Sequence, residues 1–236
     1  MAPSVLVRPG TLADAETLIR VGYAAYRDDH ITHAKFPEHL RRKYGMTEEM
    51  AWRLRTMKRA LAAEDGDQAE KKKKTAHVVV AVLRSGEGDD EREDVAGWAI
   101  WREPAQPNAK PGASAPEKEK KDEDELPPSM DKEVAARFDA AMVALARRHL
   151  GETYDQEYWM LQVLAVDPKF HRRGVGKALV QWGVEHAFRA GRDVQLTASP
   201  AGRLLYLSQG FEVVAEETHH GAVCSLMVKR RKRDGD

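Results

Sequence analysis

The chain has one cysteine, Cys224, in 236 residues. A lone cysteine cannot close an internal disulfide, which fits a reducing compartment, and Cys224 reads as a small strand hydrophobe rather than a nucleophile. Net charge is missing too: 38 Lys and Arg balance 38 Asp and Glu, so no global field draws the molecule to nucleic acid or to a membrane. Any basic site has to be local. Long apolar runs are also absent. The longest, HVVVAVL and WMLQVLAV, fall far below the ~20 residues needed to cross a bilayer, and the apolar run ahead of Arg8 is too short for a secretory signal. No His, Cys and Asp cluster has metal-ligand spacing, so no metal is expected. The expectation is a cytoplasmic protein without membrane or direct nucleic-acid partners.

What is present is 42% hydrophobic residues, enough for one large core or two small ones. Val5 to Arg8 reads as a short strand closed by Pro9-Gly10. Asp14 to Tyr26 then carries Ala15, Leu18, Ile19, Gly22, Tyr23 and Tyr26 at helical spacing. Thr47, followed by Glu48 and Glu49, starts a second helix with Met50, Leu54, Met57 and Leu61 on one side. The run EDGDQAEKKKK reads as a solvated loop. Ala76 to Leu83 and Val95 to Trp101 are β-rich, and the polar RSGEGDDERED between them predicts an antiparallel pair.

Residues 102–130 differ in kind. They hold 6 of the 11 prolines and the run EKEKKDEDE, with no apolar period, and read as a disordered insertion. Asp131 to Leu150 predicts a helix. YWMLQVLAV, residues 158–166, has the nearly continuous apolar character of a central strand covered on both faces, and Asp167-Pro168 ends it. Val175, Leu179, Trp182, His186 and Ala190 trace a helix that stops at Gly191. DVQLTA is a strand, SPAGRLLYLSQGF a short helix closed by Gly210, and two strands follow near Phe211 to Val214 and Ala222 to Val228.

The stretch FHRRGVGKALV sets two glycines and three basic residues just ahead of a helix. Such a turn can hold an anion on backbone N–H groups. Two phosphate motifs are excluded by spacing. A P-loop requires glycine at His171 and Ser or Thr at Ala178, and a dinucleotide fingerprint requires glycine or alanine at Leu179.

The remaining pattern, Q/R-x-x-G-x-G/A between a buried strand and an amphipathic helix, resembles the acyl-CoA-binding motif of the GNAT superfamily of N-acetyltransferases. Gly174 and Gly176 match, and His171 stands where the family usually has Gln or Arg. LAVDPKFHRRGVGKALVQW is similar to the family's strand, loop and helix. ASPAGRLLYLSQGFEVV resembles its second motif, with the LYxxxGF core intact about 30 residues after the glycine turn. The β-α-α-β-β opening is similar as well, so the likeness covers most of residues 5–228 apart from the insertion. It implies an α/β fold of the α+β kind, with a mixed, mostly antiparallel sheet flanked by helices on both faces. The implied organisation is one domain over 1–228, interrupted at about 102–130 and followed by a basic tail at 229–236.

The resemblance also implies a site. Arg172, Arg173, Gly174, Val175, Gly176 and Lys177 would hold the pyrophosphate of acetyl-CoA. Leu164, Ala165 and Val166 would offer backbone groups to its acyl and pantetheine portion. Ser199 stands where many relatives carry a cofactor-contacting Asn or Ser, and it is also placed to cap the following helix. Tyr206, the tyrosine of LYxxxGF, is the residue relatives commonly use to protonate the leaving thiolate; its other reading is a packing ring. A phenol near pKa ~10 suits a thiolate near ~8.5, and the attacking alkylammonium, near ~10.4, must first lose a proton.

Relatives often place a glutamate base on the central strand, where this chain has only Gln162. Asp155, Glu157 and Asp167 are near in sequence, and no base is assigned. His30 and His33 fall in the segment that lines the family's acceptor pocket and read as surface residues. The implied activity is acetyl transfer from acetyl-CoA to a small-molecule or protein amine by direct attack in a ternary complex. A non-catalytic acyl-CoA-binding module stays open because of the missing glutamate. A nuclear regulatory protein stays open because of the charged insertion and KRRKR at the C-terminus, a run that equally suits a solubilising end.

Overall fold

The computed structural model describes residues 4–65, 76–85, 92–105 and 126–232. Most of the expected solvated loop, the centre of the predicted hairpin turn, insertion residues 106–125 and the last four residues lie outside these. In chain order the elements are β1 Ser4–Pro9, α1 Ala15–Ala25, α2 His30–Lys35, α3 Glu38–Tyr44, α4 Thr47–Asp65, β2 Ala76–Ser85 and β3 Arg92–Arg102. They continue with α5 Lys132–Leu150, α6 Tyr154–Glu157, β4 Tyr158–Val166, α7 Val175–Arg189, β5 Asp193–Ala198, α8 Pro200–Ser208, β6 Glu212–His219 and β7 Ala222–Lys229. The strands form one sheet in the order β1-β2-β3-β4-β5-β7-β6. Only the β4–β5 pair is parallel. This is the mixed, mostly antiparallel sheet the sequence implied.

Period-two alternation divides the core. On β2, Val79, Ala81 and Leu83 join the cluster beneath α7, while Val78, Val80 and Val82 join the cluster beneath α1 and α4. Each such valine, fully buried, contributes about 1.5–3 kcal/mol. Two tryptophans of β3 pin the opposite layers: Trp98 donates its indole N–H to Leu18 O at 2.8 Å, and Trp101 donates to Leu179 O at 3.3 Å. Farther along the sheet, Leu226 of β7 packs with Leu145 and Ala146 of α5. Its neighbour Met227 faces the α7 layer.

The structure differs from the sequence reading in four places. Two short helices, α2 and α3, fill the chain between α1 and α4, and neither buries a residue of its own. Tyr23 lies on the exposed side of α1. Gln162 is exposed on β4, so that strand is not covered along its whole length. Both described ends of the stretch 102–130 belong to the folded body rather than to a disordered insertion. Arg102 still belongs to β3, and the Ala105 N–H donates to Asp155 O at 2.7 Å. At the other end Met130 packs with Phe36 and Ala135, with Leu126 and Trp52 alongside, and the Asp131 N–H donates to Lys35 O at 2.8 Å. Isolated apolar residues such as Met130 have no local period, and their partners come from distant elements. At the C-terminus, Lys229 donates to Gln209 O, Arg230 pairs with Glu212 at 3.3 Å, and the Arg231 N–H donates to Asp193 Oδ1 at 3.0 Å.

Candidate functional site

The site begins with an irregularity in β4. Ile100 pairs with Val163 and Trp101 with Leu161, which leaves Gln162 as an extra residue. One extra residue moves every later side chain to the other face. Before it, Trp159 and Leu161 belong to the α7 layer; after it, Leu164 and Val166 do, while Val163 and Ala165 turn to the α1 layer. The Gln162 side chain accepts a hydrogen bond from Arg102 Nε at 2.6 Å.

Beyond the bulge β4 and β5 part. They pair only from Tyr158 to Leu161, opposite Asp193 to Leu196. β4 nevertheless continues along β3 to Val166, and β5 along β7 to Ala198. A wedge therefore opens between their C-terminal ends. The Asp167 N–H donates to Ala96 O at 2.9 Å. Alternation in the antiparallel ladder then gives the backbone groups of Ala165 to β3 and turns those of Leu164 and Val166 into the wedge. So, of the three β4 residues named from the sequence, Leu164 and Val166 turn their backbone groups toward the wedge and Ala165 turns its toward β3. Tyr26 donates its hydroxyl to Leu164 O at 2.7 Å, and the His171 ring bonds to Val166 O at 3.3 Å.

The glycine turn follows. Asp167 accepts from the Lys169 N–H at 3.1 Å and starts a short 3-10 turn. Arg172 and Gly174 take left-handed backbone, with φ of 60° and 83°, and α7 starts at Val175 with its first N–H groups free of helical partners. A β-carbon on Gly174 would meet nothing within 4 Å, so the space before the helix is open and the positive φ is what calls for glycine. Gly176 meets a different constraint: a β-carbon there would stand 3.0 Å from Leu205 Cδ2, a tight contact with α8. Sequence reasoning tied both glycines to the close approach of a phosphate; packing of α7 on α8 governs the second. Val175 is buried, so only its backbone is presented. Arg172, Arg173 and Lys177 are exposed. Among the described residues none of the three pairs with a carboxylate, and the Arg173 guanidinium lies over the Phe170 ring at 5.6 Å.

Two further expected residues sit on or beside α8. Ser199 stands at the N-cap with Pro200 behind it, yet its hydroxyl makes no capping bond. Tyr206 is 7% exposed and packs edge-on to Phe211. Burial first, and Tyr26 second, push its phenol well above the ordinary value of 10.0. It keeps its proton throughout the physiological range, although this moves it away from the match with a thiolate that sequence reasoning assumed.

Asp155 and Glu157 lie at the opposite end of β4, about 25 Å from Val166 at the usual rise per residue. The carboxylate of Asp167 is taken up by Lys169. None of the three is brought to the wedge as a base. His30 and His33 are exposed on α2, as expected. Sequence reasoning missed the roles of Tyr26 and Asp29. Asp29 caps α2 by accepting from the Thr32 N–H at 2.7 Å, and its own N–H donates to Tyr26 O at 3.2 Å. Its charge reaches both Tyr26 and Cys224, adding to the rise that burial causes in each. Cys224 is buried and held as a thiol. Among the described residues no three His, Cys, Asp or Glu side chains converge as metal ligands, and no helix is long and apolar enough to cross a membrane.

Residues 134–213 match the family model described as an acetyltransferase (GNAT) domain. No curated protein matches the sequence closely enough to count. Among solved structures, the chain is similar to a mosquito arylalkylamine N-acetyltransferase-like protein at 18% identity and TM-score 0.57, covering 96% of this chain and 99% of that one. The PaiA N-acetyltransferase of Thermoplasma acidophilum, solved with coenzyme A, is similar at 13% identity and TM-score 0.54, covering 97% and 99%. A Corynebacterium glutamicum protein described as histone acetyltransferase HPA2 and related acetyltransferase is similar at 19% identity and TM-score 0.52, covering 99% and 98%. Identities this low speak to the fold. Residues 134–213 thus match an acetyltransferase (GNAT) domain, and the chain as a whole shares the fold of these acetyltransferases.

Proposed function

We propose that the protein transfers the acetyl group of acetyl-CoA to the nitrogen of a primary amine, by direct attack while both are bound. The observation that carries this reading is the union of the wedge with the glycine turn. Open space at Gly174, free N–H groups at the start of α7 and three cations without carboxylate partners among the described residues suit a pyrophosphate. The edge of β4 leads from that turn into the wedge, with the backbone of Val166 and then Leu164 along a pantetheine arm's path. Ser199, whose hydroxyl makes no capping bond, is a further contact to that arm. The similar Thermoplasma protein was solved with coenzyme A, which supports the same ligand here.

Bound, acetyl-CoA supplies an activated acyl carbon; the chain orients it and handles protons. Arg172, Arg173, Lys177 and the amides of Gly174, Val175 and Gly176 fix the charged end. Tyr206 holds the proton that meets the departing sulfur. The amine arrives as an ammonium near neutral pH and gives up a proton to solvent before it attacks, and the half-buried carboxylate of Asp29, close to Tyr26, favours a cation at that end of the wedge. The domain is proposed to be one unit from residue 1 to 228 in the cytoplasm. The nuclear reading loses support because Lys229, Arg230 and Arg231 are tied to the body of the protein.

Calorimetric titration with CoA, followed by thiol release from acetyl-CoA over a panel of arylalkylamines, polyamines and peptide N-termini, tests the proposal. CoA binding with amine-dependent thiol release is expected. Binding without turnover on any amine favours the non-catalytic module, and failure to bind CoA overturns both.

A further inference from the structure

A residue on the free edge of a strand turns its N–H and its C=O to the same side. Leu164 does so inside the wedge. A carbonyl oxygen approaching the Leu164 N–H would therefore also meet the Leu164 oxygen, whose partial charge has the same sign. Tyr26 removes that conflict. Its hydroxyl, carried on the C-terminal end of α1, donates to Leu164 O at 2.7 Å, and it has no other hydrogen-bond partner among the described residues. The ring is packed against the α1 layer of the core, and the adjoining turn is closed by the Asp29 N–H on Tyr26 O, so the phenol is held in place from both ends.

We propose that Tyr26 is a positioning residue for acyl transfer: by occupying the Leu164 carbonyl it leaves the Leu164 N–H as the one main-chain group of that residue open to a thioester oxygen. The wedge then presents a donor where negative charge grows as an amine attacks, the arrangement that stabilises such an oxygen best in a site poor in water. A ring that merely packed would not need its hydroxyl. The inference rests on reading the wedge as the seat of the acyl group.

The test compares wild type with Tyr26→Phe, using acetonyl-CoA carrying a 13C-labelled ketone as an unreactive analogue. Isotope-edited infrared spectroscopy reads how strongly the protein polarises that carbonyl. Wild type should lower the stretching frequency on binding, and Tyr26→Phe should lose most of that shift. kcat should fall about tenfold, less than the ~10²–10³ lost with a direct oxyanion donor, while the Kd for CoA stays within about twofold. An unchanged frequency and an unchanged kcat in a folded Tyr26→Phe protein overturn the proposal. If wild type does not bind acetonyl-CoA, the functional reading itself falls and this one with it. Should the Phe variant not fold, Tyr26→3-fluorotyrosine supplies a stronger donor that must shift the frequency further down, and no shift beyond wild type counts against the proposal.

Discussion

Gly176 of α7 lies close against Leu205 of α8: a β-carbon on Gly176 would lie 3.0 Å from Leu205 Cδ2. Gly174, two residues earlier, has empty space around it and a φ of 83°. The two glycines should separate by experiment. Gly174→Ala strains a left-handed position by about 1–2 kcal/mol and crowds the ligand side. Calorimetry should show CoA affinity lowered at least tenfold, with the fold kept. Gly176→Val should act mainly on stability, by about 1–3 kcal/mol of overpacking. Wild-type CoA affinity in Gly174→Ala would remove the turn from the binding site.

Tyr206 is expected to work as a protonated phenol. Burial and Tyr26 raise its pKa above 10.0, so the donor form persists below that value and is lost only as pH rises through the higher folded one. The pH profile of kcat should show no alkaline decline from Tyr206 below about pH 10. Tyr206→Phe should cut turnover by ~10²-fold and leave CoA affinity in place. A Phe variant turning over at the wild-type rate, with acyl transfer shown to limit it, would reduce Tyr206 to a packing ring.

Glu49 is fully buried and accepts from Arg41 Nε at 2.9 Å, Arg41 Nη2 at 2.8 Å and Arg53 Nε at 3.0 Å. Burial alone would raise its pKa, but the bonds and charges of the two arginines outweigh it and hold the carboxyl below 4.5. A carboxylate depressed on folding adds stability above its unfolded pKa, and that contribution is lost as pH falls through the folded one. Glu49→Gln should therefore cost about 2–3 kcal/mol near neutral pH, the low side for a broken buried pair because both guanidiniums are partly exposed. It should also flatten the acid limb below about pH 4.5. Urea midpoints at pH 7 and pH 4 check both.

Removal of residues 106–125 should leave the melting temperature within a few degrees, because this charged sequence has little apolar area to bury and loop length costs stability only slowly. Extending the deletion to residues 105–130 also removes the Ala105 bond to Asp155 and takes Met130 from its cluster with Phe36. That should cost about 2–5 kcal/mol, as for a buried methionine truncated to alanine. Equal melting temperatures for the two deletions would contradict the packing of Met130.

Elements with a clear apolar period were legible in the sequence: YWMLQVLAV and DVQLTA mark β4 and β5 to the residue. The short helices α2 and α3 were not, since a helix that buries nothing has no stripe to read. Their signals were local ones, Asp29 as N-cap and Gly45 at φ 75° after Tyr44. The glycine turn and Tyr206 were found through motifs. The wedge was not, because where β5 leaves β4 depends on what β7 offers β5 at the other edge. Tyr26 looked like one more member of a helical stripe. Its hydroxyl acquires a role only when residue 164, far away in the chain, comes within reach.

The extra residue at Gln162 makes β4 a strand in two phases. A chain that lost it could keep one half in frame only by turning the other over, which would send Leu164 and Val166 to the α1 layer or Trp159 and Leu161 away from α7. Both halves pack into the core, but only the half after the glutamine runs along the wedge. Substitutions at the foot of β4 therefore need not re-aim its mouth, and one polar side chain in an apolar run is the joint between the two halves.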